Sequence, residues 1–302
     1  MATIRLASST HTDWNQAAIW AAGALPTAGD TVVCENVTTN VDTEPAGTND
    51  VEFAALRFDQ SYVGLFGGPT TGLGVKAVAV DIGFNYGPVS PAGSDRINLD
   101  LTGVTTSGQI TVHDTSATAE EDNQQPVRLV SDTFHSVVVN SGDVGLATNV
   151  AGETAAFAKV SVGFIENEID DAAVNVGVGV TVANYVQTGG NNTIQAGITA
   201  ITASGGVLRI VGTGAITSLI IGGGAEVFPE ASGTITIVAN SGNMDMTRNQ
   251  TPRTITTLKA FGGSTTKIDG GIITLTNPLE LDQTSLENVT LEVGFDRTLD
   301  LA

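Results

Sequence analysis

Three histidines, one cysteine and scattered carboxylates are the groups with which this chain of 302 residues could do chemistry. His11, His113 and His135 lie far apart, and none stands in the i, i+4 arrangement that a helical zinc site needs. His113 and His135 fall where neighbouring strands are expected, and each is read as a strand histidine facing water. The sequence holds no GxSxG elbow, phosphate loop or paired-cysteine motif. Glycoside hydrolysis needs two carboxyl groups about 5–9 Å apart. Glu166, Glu168, Asp170 and Asp171 are the richest source, with Asp95, Asp100 and Asp132 as others. Grooves for acidic sugars also use aromatic platforms and basic side chains. Here two Trp, three Tyr and 12 Lys+Arg are spread without clustering. The acidic group is therefore read as a solvated loop, and no catalytic, cofactor-binding or metal-ligating residue is assigned.

Something other than reactivity must explain the residues that dominate. Val, Ile, Ala, Thr and Asn with 36 glycines favour strands and turns over helices. Thirty-two acidic against 12 basic residues give a net charge of −20, which repels phosphate backbones and anionic lipid. Neither nucleic acid nor membrane is expected as a partner. Cys34, alone in "TVVCENV", cannot form an internal disulfide and is read as a small buried hydrophobe. The opening residues "MATIRLASSTHTDWNQ" lack an apolar core of signal-peptide length, and no run of about 18 apolar residues follows. Taken from Met1, the chain is expected to be made in the cytoplasm and not exported by a signal of its own.

The most informative pattern is a repeat. Windows opening at Val182, Ile198, Ile216, Ile235 and Ile255 are 16, 18, 19 and 20 residues apart. Position two is Ala183 and then Thr199, Thr217, Thr236 and Thr256. Position four is Tyr185, Ile201, Leu219, Val238 and Leu258. Position eight is Gly189, Gly205, Gly223, Gly242 and Gly262, followed by Gly or Asn. This is the pattern of a solenoid in which each repeat is one coil. Position one should stack on position one about 4.8 Å away, making an inward aliphatic ladder, with threonines outward and glycine corners supplying positive φ. The leucines and asparagines of a leucine-rich repeat are missing, as is the GGxGxD of calcium-binding coils; a sandwich with regular turns is the competing architecture. The expected fold is all-β, a parallel β-helix of the commoner right-handed type. It has 18–20 residues per rung in the C-terminal half, with regular coils clearest at 182–263. Looser rungs and loops fill the N-terminal half, and on the order of a dozen rungs span about 60 Å.

Residues 1–30 are expected to form an N-terminal cap or docking segment ahead of a β-helix over 31–302. A short helix near 14–22 would lay Trp14 and Trp20 over the first rung, as a plug or as a docking surface.

The entrance "DWNQAAIWAAGALPTAGDTVV" and the ITxL…GG coils, together about a third of the chain, carry a family likeness. They resemble the β-helical structural proteins of tailed-phage particles, namely capsid decoration or cement proteins and virion fibres. Bacterial β-solenoid surface proteins share both features. The resemblance implies a non-enzymatic virion protein without cofactors, commonly a homotrimer, assembled in the host cytoplasm. It would sit on the particle surface and bridge subunits of the major capsid protein or other virion proteins. A tail-spike-like glycan binder or depolymerase, or a bacterial surface adhesin, are the alternative functions.

Overall fold

The computed structural model describes residues 2–47, 50–68, 71–84, 96–115, 125–133, 135–148, 150–163, 172–268, 272–281 and 290–293. Among them the regular structure is β throughout, apart from one three-residue 3-10 turn, and every strand-to-strand register is parallel. The protein is a parallel β-helix.

Two sheets form its walls. The first runs through Thr3–Arg5, Thr31–Cys34, Phe53–Asp59, Ala77–Phe84, Gln109–Val112, His135–Val139, Ala155–Val162 and Val180–Gln187. It continues through the opening halves of Ile198–Ile210 and Ile216–Pro229, then Ile235–Asn240 and Arg253–Ala260. The second includes Leu73–Gly74, Ile97–Asp100, Val127–Val130, Asp143–Leu146, Ala173–Val176 and Asn191–Ile194. The closing halves of the same two long strands join it, followed by Asn243–Asp245, Thr265–Ile268 and Thr290–Val293.

One spine threads the first sheet from end to end. Ile4, Val32, Leu56, Val80, Ile110, Val137, Val160, Tyr185, Ile201, Leu219, Val238 and Leu258 are consecutive register partners. All but the partly buried Ile4 are enclosed. Twelve stacked positions at ~4.8 Å make a rod of roughly 53 Å along this line. Sequence intervals along it are 28, 24, 24, 30, 27, 23 and 25 as far as Tyr185, then 16, 18, 19 and 20. The wide early coils are filled by large rings: Trp14 packs edge-on to Trp20 at 4.8 Å and lies 5.6 Å from Phe53 and 6.2 Å from Phe66. Later coils close mainly on aliphatic side chains, with Phe157 and Tyr185 as buried rings among them.

The position-one residues Val182 and Ile198 are register partners, as are Ile216, Ile235 and Ile255 in turn. All five are buried, with Ile198 and Ile216 placed in step by the +18 register of the strands that carry them. A third inward line runs from Cys34 through Phe58, Ile82, Val112, Val139 and Val162 to Gln187. Cys34 is fully buried, and desolvation pushes its thiol pKa well up, as suits a small core hydrophobe.

The glycine corners work differently from the expectation. Positive φ falls on the second glycine of the pair, at Gly190 (+83°), Gly206 (+72°) and Gly263 (+80°), not on Gly189, Gly205 or Gly262. Gly205 and Gly242 are needed for close approach instead. A Cβ there would lie 2.3 Å from the Thr188 carbonyl oxygen and 2.1 Å from that of Gly222. Gly223 is under neither constraint, because the register shifts between Ala203 and Gly205 and sets Gly205 beside Gly224.

Truncating Leu219 to alanine opens a cavity in the middle of the spine and should cost about 2–5 kcal/mol in chemical denaturation. Gly206→Ala should destabilise as well, since a Cβ would both strain φ and meet the Gly190 carbonyl at 2.3 Å. Unchanged unfolding midpoints in both would contradict the stacked-coil packing.

Candidate functional site

The histidines do not converge. His11 is exposed and His113 half-buried, its N–H donating to the Ile82 carbonyl at 2.8 Å. His135 is a correction, since it has no exposed surface. It sits on the interior line in register with Phe157, its Nδ1 2.8 Å from Ser131 Oγ, and burial holds its pKa below the usual imidazole value. Alternation along His135–Val139 sets it on the same inward side as the buried Val137 and Val139.

Of the carboxylates singled out from sequence, Asp95, Glu166, Glu168, Asp170 and Asp171 lie outside the described residues, as do most of the acidic 119–125 stretch and all of "RTLDLA". Asp100 and Asp132 staple turns: Asp100 accepts from the Thr102 N–H at 2.9 Å, and Asp132 accepts from the Gly103 N–H at 3.0 Å. Among the described residues no group of three His, Cys, Asp or Glu is arranged to hold a metal ion, and no helix is long and apolar enough to cross a membrane.

Trp14 and Trp20 face inward. They are 0% and 2% exposed, and the Trp20 indole N–H donates to the Trp14 carbonyl at 3.0 Å. As a docking surface the indoles present nothing; they plug the wide opening coils. The expected helix over 14–22 shrinks to the 3-10 turn Ala17–Ile19. The chain instead doubles back beside the first strand, with Ala7 N–H donating to Ile19 O at 2.7 Å and Ala21 N–H to Arg5 O at 2.9 Å. A two-turn helix would remove those partners.

Two surfaces remain. On the second sheet, residues 147–148 and 150–154 lie over the outer face and bury Arg128. Its guanidinium donates to Thr148 O at 2.7 Å and Asn98 Oδ1 at 2.8 Å and pairs with Glu153. Gly145 makes room, since a Cβ would lie 2.2 Å from Thr148 Oγ1. Beside them opens a cleft of about 630 Å³ between residues 147–148 and 150–154 on one side and 177–179 on the other, edged by the amides of Gln125, Asn175 and Gln195. Asn175 also bonds Asp143, one of whose carboxylate oxygens is buried without a partner. Burial raises the Asp143 pKa to about 6, the Asn175 bond opposing it.

On the first sheet, successive rungs stack their outward residues into continuous lines. One outward line reads Gln109, Ser136, Lys159, Asn184, Ala200, Ser218, Ile237 and Thr257. Its neighbour reads Thr111, Val138, Ser161, Val186, Thr202, Ile220, Ala239 and Lys259. Neither carries a carboxylate over eight rungs. The second line continues to Asp81 at one end and Glu280 at the other, paired with Arg57 at 3.1 Å and Lys259 at 2.8 Å. Ile220 and Ile237 are 46% and 40% exposed. Sequence reading found the outward threonines but not the continuous wall, because the N-terminal rungs have no fixed period.

Comparison with protein-family models, curated proteins and solved structures finds no match for the chain.

Asp143 gives this surface a pH signature. Its folded pKa of about 6 exceeds the ordinary 3.8, so the folded protein binds more protons between those values and loses stability as pH rises from about 4 to 6. Asp143→Asn should melt above the parent at pH 8, and the difference should close by pH 4.

Proposed function

We propose that this chain is a non-enzymatic structural protein of an assembled particle, a decoration or cement protein that bridges subunits of a phage capsid as a homo-oligomer. The observation that carries the reading is the unbroken twelve-residue spine, in which each coil is hydrogen-bonded to its neighbours along roughly 53 Å. Such a rod transmits load between its ends without a hinge, which is what holding neighbouring subunits against internal pressure requires. A net charge of −20 keeps decorated particles dispersed. The resemblance of the "DWNQAAIWAAGALPTAGDTVV" entrance and the 182–263 coils to virion β-helices supplies the particle.

A glycan-binding reading, the tail-spike alternative, draws on the cleft beside residues 150–154, which three amides line. Copy number separates the two. Quantitative mass spectrometry of purified virions should find the chain at a level comparable with the major shell subunit. A few copies per particle would favour a tail component, and absence from the particle would end the proposal.

A further inference from the structure

We infer that the outer wall of the first sheet is the surface through which a second copy of this chain packs. The inference concerns the purified chain alone, so it stands or falls separately from any role on a particle.

The argument begins with charge. A protein of net −20 resists association with itself through any face that carries its share of carboxylates. The wall described above has none over eight rungs, and its two lysines lie apart, Lys259 being neutralised by Glu280. Repulsion between carboxylates stacked at ~4.8 Å does not by itself account for this. The second sheet obeys the same spacing, yet it points Asp143, Glu226 and Asp245 outward.

Apolar exposure adds a second observation. Ile220 and Ile237 occupy slots filled one rung earlier or later by Thr202 and Thr257, residues that suit an outward strand in water. Phe261 follows at the same end, 37% exposed. Interface cores are depleted in charge and marked by exposed apolar patches of this kind.

Area is the third. Seven inter-rung steps of ~4.8 Å by six residues of ~3.3 Å give a face of roughly 34 by 20 Å. Covering it on both partners removes about 1,300 Å² from water, inside the range of stable specific interfaces. A partner chosen by opposite charge would require a charged surface here. A neutral one is what a strongly acidic chain needs to meet its own copy.

Sedimentation equilibrium of the full chain at micromolar concentration should give a multiple of 30.8 kDa. The double substitution Ile220→Glu and Ile237→Glu should weaken association at least about 100-fold, while Thr193→Glu on the second sheet should leave it unchanged. Asn184 is exposed half-way along the wall, and Cys34 is fully buried. Asn184→Cys should therefore cross-link to a dimer with a short bismaleimide, which decides the matter if the glutamate variant fails to fold. A parent that sediments as a single chain overturns the inference, as does an oligomer that survives both glutamates or one in which Asn184→Cys does not cross-link.

Discussion

Lateral register is the constraint on which the molecule depends. Each rung hydrogen-bonds to the rung before and the rung after, so a side chain that points inward must lie on another that does. A slip of one residue would send the whole apolar set outward. The coils therefore vary in length only where they turn. Intervals range from 16 to 30 residues, yet the spine from Ile4 to Leu258 never loses step. Extra residues are absorbed at corners and bulges, as beside Phe157 and between Ala203 and Gly205.

This explains what could be read from the sequence and what could not. From Val182 onward the coils are short, their intervals nearly constant and their ladder residues aliphatic apart from Tyr185, so the ladder shows as a repeat. Before that point the same ladder exists, but insertions of different lengths separate its members and no period survives. The core there is also built from different residues, with Trp14, Trp20, Phe53, Phe58 and Phe66 filling a broader section. Polar interior residues are a further blind spot. Gln187 and Asn240 occupy an inward line that from Ile82 onward is otherwise made of Val, Ile and Ala, because their amides serve corner backbone. Gln187 donates to Gly205 O at 2.9 Å, and Asn240 accepts from the Gly242 N–H at 2.9 Å. Scored as hydrophobicity they break the pattern; scored as hydrogen-bond partners for turns, they complete it.

The surfaces were less legible than the core for a related reason. Which side of a strand faces water follows from alternation, but which outward residues become neighbours depends on register across coils of unequal length. Lys159, Asn184 and Ala200 are 25 and 16 residues apart, yet they stand on adjacent rungs. Arg128 shows the reverse case. It alternates as an outward residue, and only the fold-back of residues 147–148 and 150–154 buries it beside Glu153 and Asn98.

The distribution of charge then separates two demands that usually conflict. Solubility requires many like charges, whereas assembly requires a place where they do not meet. In a globular domain the two compete for one curved surface. A β-helix has distinct flat sides whose outward residues are set independently, provided each line keeps its own composition from rung to rung. Here the second sheet holds outward acids and the Arg209–Glu230 pair at 2.9 Å, while eight rungs of the first hold mostly Thr, Ser, Ala, Val and Ile and no acid on their two outward lines. Because the spine holds both sides in register, the neutral one runs unbroken over eight rungs, and many weak contacts can add up along its length.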